Sequence, residues 1–209
     1  MQRLSIDSII LAGGESKRMG RDKAFLPLCG KPFIQIVAEK LSNYSHRLII
    51  STNKDESLYT EYLKDIDAQI IFVKDKNPYS GPLNGIVSCL DVLSADLVFI
   101  STCDTPLLEE KLIPFFTDSI DSFQAVIPEV KGKLQFLNTL YEKSAINAAE
   151  NLYKKGVRSL HRWVESINAL KIDQKEVEEI DPNLYSYWSI NTPEDYQRIK
   201  KLWKEKYGC

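Results

Sequence analysis

Histidine is scarce in this chain: His46 and His161 are the only two among 209 residues. Neither has a spacing that suits a metal site or a nucleophile–base–acid triad, so imidazole chemistry has little to build on. Cysteine is nearly as sparse. Cys29, Cys89, Cys103 and Cys209 are nowhere two to four residues apart, which excludes a zinc site of the usual spacing. They are expected as free thiols in a reducing cytoplasm. The apolar run Ile9–Ala12 is far too short for a signal segment or a membrane span. There is no low-complexity linker, no acidic or basic tail and no internal repeat. A formal net charge of −2 leaves no basic footprint for DNA or RNA. The expectation is a cytoplasmic monomer with neither membrane nor nucleic acid as partner.

What is present is ordinary in amount and informative in order. Hydrophobic residues make up 44% and charged residues 27%, as in soluble globular proteins, and the length suits one domain over 1–209. Ile9-Ile10-Leu11-Ala12, Leu48-Ile49-Ile50, Ile70–Val73 and Leu97–Ile100 are continuous apolar runs, the pattern of strands buried on both faces. Between them the spacing predicts helices. One opens with Pro32 at its first position, one covers Glu56–Lys64, and one begins at Pro82 with Ile86, Val87, Leu90 and Leu93 on its apolar face. Such alternation argues for an α/β fold, Rossmann-like, with a mostly parallel central sheet between helical layers. The second half is less regular. Ala125–Ile127 and Leu134–Tyr141 read as strands, Ser144–Lys154 and Ser159–Ser166 as helices, and a last helix follows Thr192-Pro193 with Asp195 at the capping-box position. Trp163 reads as a core residue.

The segment Leu11-Ala12-Gly13-Gly14-Glu15-Ser16-Lys17-Arg18-Met19-Gly20-Arg21-Asp22-Lys23 follows the first strand. Its glycines allow a sharp turn and a close backbone approach, with N–H groups available to anionic oxygens. Lys17, Arg18, Arg21 and Lys23 add four cations, which suits a polyphosphate better than a solvated turn. The segment is neither a P-loop nor a G-x-G-x-x-G dinucleotide turn. Further along, Asp104 follows the fourth strand, where one carboxylate plus phosphate oxygens and water could hold Mg²⁺. It could equally be a turn or cap aspartate before Pro106. Asp75 lies past the third strand, able to accept from a base or ribose or to stand exposed between Lys74 and Lys76. Asn53 and Gly81-Pro82-Leu83-Asn84-Gly85 read either as turn residues or as backbone packed against a base.

With these blocks in view, the chain resembles the molybdenum cofactor guanylyltransferase family, a branch of the nucleotidyltransferases with a nucleotide-diphospho-sugar transferase-like sheet. The loop matches the family signature L-A-G-G-x-S-x-R-M-G-x-D-K at each fixed position. Asp75 with Gly81-Pro82-Leu83-Asn84-Gly85, Thr102-Cys103-Asp104-Thr105-Pro106 and Asn191-Thr192-Pro193-Glu194-Asp195 match later blocks. The resemblance implies transfer of GMP from GTP to molybdopterin, or Mo-molybdopterin, with release of pyrophosphate. It implies Leu11, Ala12, Gly13, Gly14, Lys23, Asn53, Asp75, Gly81 and Asp104 around GTP, with Mg²⁺ on Asp104 and Arg18, Lys23 and Asp104 as catalytic residues. The half over about 1–110 would bind nucleotide and the half over about 111–209 the acceptor. Arg158, in Gly156-Val157-Arg158-Ser159-Leu160, and Asn191 would face the acceptor. Other molybdenum cofactor biosynthesis proteins or molybdoenzyme chaperones would be partners. Gly13, where cytidylyl relatives tend to carry alanine, favours guanine.

Two departures fall on the acceptor side. Gln135-Phe136-Leu137 lacks the family's proline, and Ser189 replaces an asparagine. The alternatives are therefore a cytidylyltransferase, another nucleotidyltransferase acting on a phosphorylated small molecule, or a GTP-binding sensor. A phosphate monoester with a second pKa of about 6 is already mostly dianionic at neutral pH, so the transfer needs no general base.

Overall fold

The computed structural model describes residues 5–14, 20, 22–78 and 80–209. In chain order the strands are β1 (Ile6–Leu11), β2 (Pro27–Leu28), β3 (Lys31–Pro32), β4 (Arg47–Ser51), β5 (Gln69–Val73), β6 (Leu97–Thr102), β7 (Ala125–Val130), β8 (Lys133–Leu134), β9 (Thr139–Glu142) and β10 (Ala169–Ile172). The α-helices are α1 (Phe33–Ser42), α2 (Ser57–Leu63), α3 (Pro82–Ser88), α4 (Leu112–Ser119), α5 (Lys143–Lys154), α6 (Leu160–Val164), α7 (Gln174–Glu178) and α8 (Pro193–Tyr207). The main sheet has the order β10-β7-β9-β6-β1-β4-β5, with β8 attached to β7. Pairings β1–β4, β1–β6, β4–β5 and β7–β10 are parallel, and β9 runs antiparallel between β6 and β7. This is the expected α/β architecture with a mostly parallel sheet.

The continuous apolar runs have a simple cause. Successive side chains of a strand point to opposite faces, and both faces here are covered. Ile10, Leu48 and Ile50 join a core under α1, α2 and α4, whereas Ile9 and Ile49 join another under α3, α5 and α6. Each fully buried aliphatic side chain contributes about 1.5–3 kcal/mol, so a polar residue in any of these runs would be costly. Trp163 is fully buried, as expected, stacked on Tyr141 with ring centroids 4.6 Å apart, its indole N–H donating to Ala145 O. A third core joins the β2–β3 hairpin to α8 through Leu26, Leu28, Ile199 and Trp203.

Several expectations need correction. Cys29 and Cys209 are not free thiols; they form a disulfide, with Cα atoms 5.9 Å apart, tying the hairpin turn to the chain's last residue. Only Cys89 and Cys103 remain reduced, both buried. Pro32 is the N-cap of α1 rather than its first residue, because it belongs to the hairpin and keeps an extended ψ of 154°. The helix begun at Pro82 stops at Ser88, and Leu90–Val92 form a separate 3-10 turn. Leu134–Tyr141 is two strands, not one, since Asn138 adopts a left-handed φ of 55° that no strand can carry through. The hairpin, α4, β10 and α7 were not foreseen.

Candidate active site

Strands β1, β4, β5 and β6 all run in one direction, so the loops leaving their carboxyl ends meet along one edge, where open α/β sheets collect ligands. Two side-chain clusters stand on that edge.

The first surrounds Asp75. Its Oδ1 accepts from the Ser51 hydroxyl at 2.6 Å and its Oδ2 from the Asn53 amide at 3.0 Å. The same Asn53 amide donates to Gly13 O at 3.2 Å. This convergence requires glycine at 13, because a Cβ there would stand 2.8 Å from Asp75 Oδ2 and 3.0 Å from Asn53 Nδ2. Asp75, Gly13 and Gly14 line a cavity of about 290 Å³, which Leu11, Thr102 and Leu137 also border. Gly81 forms another wall, and its φ of 86°, a conformation open to glycine, turns the chain into α3. A carboxylate oxygen has more than one lone pair, so Asp75 can still accept bonds from a ligand in the cavity. Ala12, beneath it, is buried and donates its N–H to Ser51 O at 2.8 Å.

The second cluster joins Lys23, Asp104 and Asn191. Lys23 starts a 3-10 turn capped by Asp22, whose carboxylate accepts from Ala24 N and pairs with Lys54. From there its ammonium reaches Asp104 Oδ2 at 3.0 Å and Asn191 Oδ1 at 2.7 Å. Thr102 Oγ1 donates to the other oxygen of Asp104 at 3.0 Å. Asn191 arrives just ahead of α8, whose start is fixed by the expected capping box of Thr192 and Asp195. Ile190 N donates to Asp104 O at 2.9 Å, locking that segment to the Asp104 turn.

Behind Asp104 the turn is anchored twice. Lys40 donates to Pro106 O at 3.0 Å and Leu108 O at 2.8 Å; its desolvation lowers its pKa to about 8, with Glu110 opposing the shift. Asn138 is buried. It accepts from Ser101 Oγ at 2.6 Å and donates to Thr105 Oγ1 at 3.0 Å and Ser186 O at 2.6 Å. It thus ties β6, the Asp104 turn and the segment leading to Asn191. Burial pushes the Cys103 thiol up to about 12, so it serves as an uncharged packing group.

Of the residues expected at a site, Leu11, Gly13, Gly14, Asn53, Asp75 and Gly81 gather at the first cluster, and Lys23, Asp104 and Asn191 at the second. Arg18, with Lys17 and Arg21, lies outside the described residues. Arg158 joins neither cluster. Its guanidinium stacks 3.7 Å over the Tyr153 ring and donates to the carbonyls of Tyr153 and Val157, closing the end of α5. Sequence reasoning missed Ser51, Leu137 and Asn138. Ser51 could have been found from the change to polar residues where the run Leu48–Ile50 ends; Asn138 had no local signal.

A metal held by protein alone does not fit here, since among the described residues no three His, Cys, Asp or Glu side chains form such a group. A hydrated cation that takes one carboxylate and completes its shell with phosphate oxygens fits Asp104. None of the described helices is long and apolar enough to cross a membrane.

Residues 8–171 match the family model described as a MobA-like NTP transferase domain. The chain is 30% identical over 196 residues to the "Probable molybdenum cofactor guanylyltransferase" of Methanothermobacter thermautotrophicus, covering 91% of this chain and 97% of that protein. It is 29% identical to the "Molybdenum cofactor guanylyltransferase" of Desulfosudis oleivorans, covering 94% and 95%. Among solved structures, molybdopterin-guanine dinucleotide biosynthesis protein A from Archaeoglobus fulgidus superposes with a TM-score of 0.78 at 23% identity, covering 95% of this chain and 99% of the other. The 4-diphosphocytidyl-2C-methyl-D-erythritol synthase of Anaerococcus prevotii gives 0.74 at 16% identity over 94% and 95%, a likeness of fold.

Proposed function

This chain belongs to the MobA-like NTP transferase family, and on that premise we propose that it transfers GMP from GTP to molybdopterin, releasing pyrophosphate. The observation that carries this reading is the pair of clusters on one sheet edge: an acceptor carboxylate walled by glycine backbone, beside a lysine held at an aspartate. Guanine offers adjacent N–H donors that a carboxylate can accept together, and Asp75 is the group for them. The triphosphate then runs from Gly13 and Gly14 toward Lys23.

In the transfer, a phosphate oxygen of the acceptor forms a bond to the α-phosphorus while the bond from that phosphorus to the β-phosphate bridging oxygen breaks. The acceptor enters already ionised, so no side chain must take a proton. Lys23 leaves Asp104 for the phosphates and offsets charge on the departing pyrophosphate. Asn191 keeps that ammonium aimed at the edge. Arg18 would supply a second cation. Asp104, oriented by Thr102, would hold Mg²⁺, which would supply charge neutralisation on the phosphates. Nucleotide contacts come from about 1–110 and acceptor contacts from about 111–209. Mo-molybdopterin is an equivalent acceptor, and the protein acts as a monomer. A reaction consuming GTP belongs in the cytoplasm.

Thermal unfolding with Mg²⁺ and GTP, CTP or ATP in turn, followed by pyrophosphate release with molybdopterin, tests the reading. Ligand at about 100 times its Kd adds about 2.7 kcal/mol. Stabilisation and turnover with GTP alone are expected. Selectivity for CTP would reassign the base, and indifference to every nucleotide would overturn the proposal.

A further inference from the structure

Asn84, in α3, is fully buried, and a carboxamide in that position is unfavourable unless its polar atoms are bonded. Its bonds lead away from its own helix. Nδ2 donates to Asn77 O at 2.8 Å and Oδ1 accepts from Asn77 N at 3.2 Å, so one side chain matches both backbone groups of one residue. The Tyr153 hydroxyl, from α5, closes the set. It donates to Asn84 Oδ1 at 2.8 Å and accepts from Asn77 Nδ2 at 2.9 Å. One residue earlier, Lys76 N donates to Ser88 Oγ at 2.8 Å, and that hydroxyl donates to Asn84 O at 2.7 Å. The Tyr153 ring is itself held by the Arg158 guanidinium 3.7 Å from its centre.

These bonds fall next to the cavity that Asp75 lines. Lys76 and Asn77 directly follow Asp75, and Gly81 stands three residues before Asn84. Asp75 and Gly81 both border the cavity, whereas among the described residues neither Asn84 nor Tyr153 does. The Asp75 carboxylate is thus fixed at two levels. Ser51 and Asn53 hold its oxygens, while Asn84 and Ser88 pin the backbone just after it to α3. Both levels matter for a ligand that offers two adjacent N–H groups. A hydrogen bond weakens steeply once its angle at hydrogen falls below about 120°, and a carboxylate that accepts two at once must satisfy both angles together.

We propose that Asn84 and Tyr153 are positioning residues for base selection, an inference that rests on the reading of Asp75 as the group that meets guanine. They act through Asp75 and not on the nucleotide. By tying the backbone after Asp75 to the helix that follows Gly81, they keep both carboxylate oxygens in line with the base edge. The half of the chain expected to serve the acceptor thereby contributes, through α5, to the choice of nucleotide.

The test compares GTP with inosine triphosphate, which lacks the 2-amino group and so offers the carboxylate one N–H donor fewer. Kd for each is measured by calorimetry on the whole protein with Mg²⁺. The wild type is expected to bind GTP about tenfold more tightly, the usual effect of one bond to a charged group. Tyr153→Phe removes a single hydroxyl and keeps the ring beside Arg158. In this variant GTP binding is expected to weaken about fivefold and inosine triphosphate binding less than about twofold, so the preference contracts. In GMP transfer the KM for GTP should rise, with kcat changing less. Ser88→Ala, which leaves Lys76 N without its partner, carries the same expectation should the first variant fold poorly. A role confined to stability would lower the unfolding temperature and weaken both nucleotides equally, so an unchanged preference overturns the proposal. A wild type that binds the two nucleotides alike is a separate failure: it removes the reading of Asp75 as the guanine partner before any variant is made.

Discussion

Asp75 is held by uncharged donors, the hydroxyl of Ser51 and the amide of Asn53, whereas Asp104, on the same sheet edge, is held by the ammonium of Lys23. The difference separates two tasks. Around Asp75 the groups are preorganised, since a ligand can use the remaining lone pairs without displacing anything. Around Asp104 the opposite charges satisfy one another at 3.0 Å, each 16% exposed, and must exchange partners when phosphate arrives. Under the proposed function, one cluster recognises the nucleotide and the other rearranges. Binding and turnover are therefore expected to fail separately.

The largest effect belongs to the rearranging cluster. Lys23→Ala should lower GMP transfer by about 10²–10³, the usual cost of losing a charge-stabilising group, while circular dichroism shows an intact fold. Near-normal turnover would show that the pairing with Asp104 is structural only. Next comes Asn138→Ala, which leaves the Thr105 and Ser186 partners unmatched and places alanine at a left-handed φ. Denaturant unfolding should report a loss of about 2–4 kcal/mol. Gly13→Ala attacks the preorganised cluster. Its Cβ would push Asp75 and Asn53 apart, and the KM for GTP should rise about tenfold with turnover less affected; a fall in turnover alone would blur the division.

The smallest effect sharpens the account of how the Asp104 turn is anchored. Desolvation lowers the Lys40 pKa to about 8 in the folded protein, against about 10.4 when unfolded. Below pH 8 both states hold the proton and the full desolvation cost is present. Between pH 8 and 10 the native state sheds its proton first, so stability rises with pH relative to Lys40→Met. With partial exposure taken into account the gain should be on the order of 1 kcal/mol. A flat difference between the two proteins over that range would assign the two carbonyl contacts no role dependent on charge.

Much of this was legible in the chain because the central strands are buried on both faces. Ile9–Leu11, Leu48–Ile50 and Leu97–Ile100 had to be apolar throughout, and the glycines and carboxylates at their ends stood out against them. The capping box at Thr192 was readable for the opposite reason, since it is satisfied entirely by its neighbours. What escaped notice depends on distant partners. Asn138 breaks a strand to serve Ser101, Thr105 and Ser186. Arg158 was expected to face the acceptor, and its bonds to the carbonyls of Tyr153 and Val157 at the end of α5 have no local signal. Among the described residues strand β10 pairs with β7 alone, more than forty residues earlier. The Cys29–Cys209 pair spans 180 residues, and no local pattern announces it.

The bond from Lys23 to Asn191 spans 168 positions of the chain. Proteins are synthesised from the N-terminus, and early segments can begin folding while later ones are still inside the ribosome. The glycine loop, the Asp75 cluster and Asp104 are all complete before Asn191 has been made. A nascent chain can thus carry the residues around Asp75 long before its lysine meets the carboxamide of Asn191. If the proposed function holds, competence for transfer waits on synthesis of Asn191, and a message truncated ahead of codon 191 is expected to yield at most a nucleotide binder.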